Sequence, residues 1–94
     1  NSTPIQQFMS IFDQQPIEVQ NEILKAMKVA KSRECERFLK DQLWNHTAVS
    51  IKISAAEVLV VLGEGQYLRA ISQSEDTYDE LIQIIKHALQ EKKC

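Results

Sequence analysis

The sequence predicts an α+β domain: two or three N-terminal helices, a small antiparallel sheet and one C-terminal helix. Three observations carry this. The chain's two glycines fall at Gly63-Glu64-Gly65, between the apolar runs Glu57–Leu62 and Gln66–Ile71. Glycine reaches positive φ without steric cost, so a Gly-x-Gly link between such runs reads as the hairpin turn at Gly63-Gly65. Val49, Ile51 and Ile53 alternate with Ser50, Lys52 and Ser54, the period of a half-buried strand. Outside this middle region, apolar residues recur at spacings of three and four, the period of a helix face.

The first helix opens at Ser2-Thr3-Pro4, a hydroxyl cap followed by proline at the first helical position. Ile5, Phe8, Met9 and Phe12 form its apolar face. Asp13-Gln14-Gln15-Pro16 interrupts it, since proline disfavours helix in the residue before it. Helix two runs from Pro16 towards Trp44, with Val19, Ile23, Met27 and Ala30 on one stripe and Cys35, Phe38, Leu39 and Leu43 resuming it. Lys31-Ser32-Arg33-Glu34 has no apolar residue, and Ser32 could cap a new helix, so the sequence leaves open whether helix two breaks there.

Three strands follow, from Val49–Ile53, Glu57–Leu62 and Gln66–Ile71. The middle one has a competitor. Ser54-Ala55-Ala56-Glu57 matches a capping box, and Gly63 could stop a short helix. Valines at 58, 60 and 61 tip the choice towards strand. The last helix opens at a second capping box, Ser72-Gln73-Ser74-Glu75, and presents Tyr78, Leu81, Ile82, Ile85 and Leu89 on one face. The expected core is Phe8, Phe12, Val19, Ile23, Met27, Phe38, Leu39, Val49, Ile51, Val58, Val60, Leu68, Ile71, Leu81, Ile82, Ile85 and Leu89.

Ninety-four residues, 44% of them hydrophobic and 26% charged, suit a single domain spanning 1–94. A chain of this size buries roughly 65% of its unfolded surface, enough for one modest core. The net charge of −2 offers no global attraction to nucleic acid or anionic lipid. No apolar run approaches the roughly 18 residues that span a bilayer, so no membrane partner is expected. Two cysteines, Cys35 and Cys94, are too few for a disulfide framework and point to a reducing, cytoplasmic or otherwise intracellular setting. Asn1-Ser2-Thr3 and Asn45-His46-Thr47 match the short glycosylation pattern, which arises often by chance.

The sequence carries no enzyme signature. His46 and His87 are the only histidines, and no close-spaced Cys or His pair suggests a metal site. Gly63-Glu64-Gly65 lacks the spacing and lysine of a phosphate loop. No catalytic residue, no cofactor and no metal ligand is expected. Trp44 reads as core. The favoured function is a small non-enzymatic protein–protein interaction or regulatory domain that self-associates as a homodimer or other homo-oligomer, because a three-stranded sheet leaves edges open to a partner. The alternative is a nucleic-acid-binding regulator, winged-helix-like or ribbon-helix-helix-like. It would contact nucleic acid through Lys25, Lys28, Lys31, Arg33, Arg37 and Lys40 of helix two. Five acidic residues share that element, so interleaving of acids among the six cations would mark a merely solvated face.

Overall fold

The structure, a computed structural model, describes residues 4–91. The Ser2-Thr3 cap, Lys92, Lys93 and Cys94 lie outside the described residues. Six α-helices account for the fold: α1 (Pro4–Ile11), α2 (Ile17–Ala30), α3 (Glu36–Asn45), α4 (Val49–Val61), α5 (Gly65–Ser72) and α6 (Asp79–Glu91). Short 3₁₀ turns at Phe12–Gln14 and Arg33–Cys35 link the first three. No strand occurs among the described residues, so the α+β expectation is overturned and the fold is all-α.

The correction centres on α4. The alternating segment Val49–Ile53 is the first part of this helix, and the second expected strand, Glu57–Leu62, is its last part and the cap residue Leu62. Helix α4 packs against α2, α3, α5 and α6. A helix enclosed in this way is apolar around most of its circumference and loses the one-sided stripe that marks a surface helix. Ile51, Ala55, Val58 and Leu59 are buried at helical spacing, and Lys52, Ala56 and Val60 form a second buried row beside them. The alternation of Val49, Ile51 and Ile53 does not follow burial: Val49 is 42% exposed, Ile53 is only partly buried, and Lys52 on the polar side of the alternation is buried. β-Branched residues lose at most about 0.7 kcal/mol each in a helix, whereas burying a valine, leucine or isoleucine side chain contributes about 1.5–3 kcal/mol. Burial therefore decides.

The glycine turn is likewise a helix end and not a hairpin. Gly63 sits at φ 88°, directly after the last helical turn of α4. Its N–H donates to the Val60 carbonyl at 3.1 Å, and the Glu64 N–H donates to the Leu59 carbonyl at 2.9 Å. This paired bonding is the Schellman motif, which satisfies carbonyls that the helix leaves open. The third expected strand, Gln66–Ile71, is α5. The second capping box also fails. Ser72 ends α5, with its hydroxyl donating to the Arg69 carbonyl at 2.8 Å, and Ser74 accepts the Asp76 N–H within a turn that precedes α6.

Helix two does break at Lys31-Ser32. Lys31 adopts the left-handed conformation (φ 52°) and closes α2 by donating its N–H to the Met27 carbonyl at 2.9 Å. Ser32 then caps the next turn, its side chain accepting the Glu34 N–H at 3.3 Å. At the other end of α2, Gln15 is extended, as the residue before a proline should be, and the helix starts after Pro16.

Most of the expected core is buried or half-buried, with two clear exceptions. Val19 is 39% exposed and Val49 42% exposed. Leu24, Cys35, Leu43, Leu59, Leu62, Ile84 and the alanines at 55, 56 and 88 are buried beyond the expectation. Phe12 meets Phe38 edge to face, with ring centroids 5.0 Å apart, joining the first 3₁₀ turn to α3.

Candidate functional site

Three polar constellations sit on this helical frame. The first is centred on His46, directly after α3. The Ala48 N–H at the start of α4 donates to His46 Nδ1 at 2.9 Å. Nδ1 is therefore the acceptor, and the ring proton resides on Nε2, which donates to Gln20 Oε1 at 2.9 Å. Gln20 Nε2 in turn donates to the Phe12 carbonyl at 2.9 Å. The chain of bonds ties the first 3₁₀ turn, α2, the end of α3 and the start of α4 together through one neutral imidazole. The ring also lies edge to face with Phe12.

Burial pulls the His46 pKa below its usual value. The Asp13 carboxylate opposes this and the Lys52 ammonium adds to it. The folded state thus holds the neutral ring more firmly than the unfolded chain does. Stability from this site is fully present above the ordinary histidine value of 6.5 and is lost as pH falls through the folded-state pKa. Protonation at Nδ1 would also remove the acceptor of the Ala48 N–H. We expect the denaturant midpoint to drop between pH 7 and pH 5, and His46→Gln, which keeps one donor and one acceptor, to lose that drop. An identical pH profile in both proteins would show that the imidazole is not responsible.

The second constellation is a belt of half-exposed aromatics bracketed by lysines. Trp44 Nε1 donates to the Tyr67 hydroxyl at 3.0 Å, and the Tyr78 hydroxyl donates to the Trp44 carbonyl at 3.3 Å. Lys40 lies 4.2 Å from the Tyr67 ring centre and Lys52 lies 5.1 Å from that of Tyr78. Lys52 is buried and pairs with Glu80 at 3.0 Å, linking the first turns of α4 and α6. Burial works to lower the Lys52 pKa, but the Glu80 carboxylate and the Tyr78 hydroxyl together hold it above the usual lysine value. Trp44 is a partly buried strut between elements, in keeping with its reading as core.

The third is an ion-pair cluster at the opposite end of α4. Arg33 Nη2 donates to the Leu62 carbonyl at 2.9 Å, and Arg33 and Lys40 share Glu36 and Glu64. Hydrogen bonding from Lys40 keeps the Glu64 pKa below the usual carboxylate value against the opposing effect of burial, with Arg33 assisting. Glu64, at the tip of the expected hairpin, is thus committed to the second 3₁₀ turn and α3.

This geometry disperses the six cations expected to face nucleic acid. Lys25 pairs with Glu22 at 3.0 Å, and Arg33 and Lys40 are held by Glu36 and Glu64. Lys28, Lys31 and Arg37 form no ion pair among the described residues. Acids interleave with bases, the pattern of a solvated face. The winged-helix-like and ribbon-helix-helix-like templates both need strands, which are absent among the described residues.

Cys35 is a free thiol, fully buried, donating to the Ser32 carbonyl at 2.9 Å. Burial raises its pKa, a backbone hydrogen bond offsets part of this, and the Glu34 charge adds to the rise. Such a thiol is a poor nucleophile. His87 lies exposed on α6. Among the described residues, no group of three or more His, Cys, Asp or Glu side chains is placed to hold a metal ion. No described helix is long and apolar enough to cross a membrane.

Sequence reasoning missed the Gln20–His46 link, which joins residues 26 apart. A glutamine amid the apolar positions of α2 was the available signal. Comparison with known proteins finds no matching family model, no similar curated protein and no similar solved structure.

Proposed function

We propose that this chain is a small, non-enzymatic helical interaction module that self-associates through the end of the fold built around His46. The observation that carries the reading is the placement of exposed apolar side chains. Ile11, Val19 and Val49 are each the chain neighbour of a residue in the His46 network, namely Phe12, Gln20 and Ala48. Ile17 lies one helical turn before Gln20. All four are about 40% exposed although large and apolar. Scattered exposed aliphatics need no explanation, whereas a group gathered at one end suits an interface. A second copy of the chain is the occupant, because a net charge of −2 gives little repulsion between copies.

The non-enzymatic part of the reading draws support from the engagement of both nitrogens of His46 and the burial of Cys35, which leave neither poised for acid–base or nucleophilic work. A free thiol also suits a cytoplasmic or other reducing setting.

Sedimentation equilibrium tests the reading. A concentration-dependent rise in mass is expected, abolished by Ile17→Lys combined with Val49→Lys while the circular dichroism spectrum stays helical. A wild-type monomer at millimolar concentration, or an association indifferent to the two substitutions, would sink it.

A further inference from the structure

The α5–α6 face brings two cations from different helices to one opening. A cavity of about 280 Å³ lies there, lined by Arg69, Ser72 and Gln73 of α5 and its end and by Lys86, Leu89 and Gln90 of α6. Each helix contributes positions i, i+3 and i+4, so the cavity is a groove between two side-chain ridges. Lys25, Arg33, Lys40 and Lys52 each meet a carboxylate. Arg69 and Lys86, like Lys28, Lys31 and Arg37, meet none among the described residues, and no Asp or Glu is among the described residues that line the groove. Two uncompensated cations therefore flank a shared opening in a protein whose net charge is negative. The Ser72 hydroxyl donates to the Arg69 carbonyl at this end of α5, and Arg69 is exposed.

We propose that this groove binds an acidic peptide segment of a partner protein, with Arg69 and Lys86 pairing its carboxylates and Leu89 receiving an apolar side chain between them. Charge complementarity selects the partner. The arginine fork matches a carboxylate bidentately. The amides of Gln73 and Gln90 can donate to or accept from a peptide backbone at the same opening. The groove is open and slightly smaller than the roughly 300–1,000 Å³ of sites that enclose small molecules, so an extended segment laid across it fits better than a swallowed ligand. Nucleic acid is the poorer match, since useful affinity there draws on about six to ten phosphate contacts and the groove offers two cations. The partial negative charge at the end of α5 is about half an elementary charge, outweighed by the two full positive ones. The groove is formed by α5 and α6, and the self-association surface by α1, α2 and α4, so either proposal can fail while the other stands.

The test is a titration of the isotope-labelled protein with a short capped peptide of glutamates and leucines, followed by amide NMR shifts. Saturable shifts at Arg69, Gln73, Lys86 and Gln90 are expected. Arg69→Gln and Lys86→Gln should each weaken binding about 1.5- to fivefold, the range for one exposed ion pair, with an unchanged circular dichroism spectrum. Two control arms use the same peptide with glutamine in place of glutamate, and inorganic phosphate. No shifts at the groove would overturn the proposal. Equal affinity for the glutamine peptide would reduce the site to apolar contact, and equal affinity for phosphate would make it a small-anion site. Both results count against it.

Discussion

Leu59→Ala is expected to destabilise the protein by about 3 kcal/mol, within the roughly 2–5 kcal/mol seen when a buried leucine is truncated to alanine. Leu59 is fully buried in the last turn of α4, the helix that touches four others. The surrounding side chains belong to separate helices, and the close packing of a core lets them collapse only partly onto the space left behind. A domain of this size has roughly 5–14 kcal/mol of stability in total, so the loss is a large fraction of it. The thermal midpoint should fall by roughly 12–24 °C. Val29→Ala, at a side chain 83% exposed, is the control and should change stability by less than about 0.5 kcal/mol. The substitution also discriminates between folds. In a half-buried strand with Val58 and Val60 inward, Leu59 would face solvent. In the helix all three are buried. An effect at Leu59 no larger than that at Val29 would count against the enclosed helix.

Helices α1, α2, α3 and α6 were legible in the sequence, whereas α4 and α5 both read as strands. Helices α1, α2, α3 and α6 each bury one face, and one-sided burial leaves a stripe: Ile5, Phe8, Met9 and Phe12 at the start, Leu81, Ile85 and Leu89 at the end. Helix α4 is covered on several sides and leaves no stripe. Its residues therefore looked like strand, and its closing glycine then looked like a hairpin. The helical reading of Ser54–Leu62 was nonetheless written in the chain. Ala55, Ala56 and Glu57 are strong helix formers, and Gly63 ends the helix as a glycine at that position commonly does.

The functional surfaces were less legible, because they depend on which residues meet. Lys52 read as a solvent-facing strand residue, yet it is buried against Glu80 and Tyr78. Its neighbours in space lie more than 25 positions away in the chain, where no local pattern reaches. Val49 and Val19 read as core from their spacing alone, but each lies on the outer side of the first turn of its helix, where Ile51 and Gln20 are the buried neighbours. Conversely, the basic residues of helix two looked like a patch only in one dimension. Glu36 and Glu64, from different elements, neutralise two of them.

The two glycines should respond in opposite directions. Gly63→Val is expected to destabilise by about 2 kcal/mol, the order of strain for a side chain forced into a sparsely populated backbone region. At φ 88° a β-branched residue is a steric outlier. A Cβ there would meet Arg33 Nη2 at 3.6 Å, an ordinary contact, so the loss would come from the backbone and not from crowding. Relaxing φ would break the Gly63 and Glu64 N–H bonds that close α4. Gly65 is different. It is the first residue of α5, its φ is not in the left-handed region, and a Cβ would meet only Leu89 Cδ2 at 3.9 Å. Gly65→Ala should therefore stabilise by about 0.5 kcal/mol, because alanine narrows the unfolded ensemble and favours helix. The measurement is a pair of urea midpoints at constant slope. In a hairpin, both glycines would serve the turn and both changes would be harmful. Losses at both positions would return the turn to that geometry, while a loss at Gly63 with a gain at Gly65 is the signature of a helix that ends and another that begins.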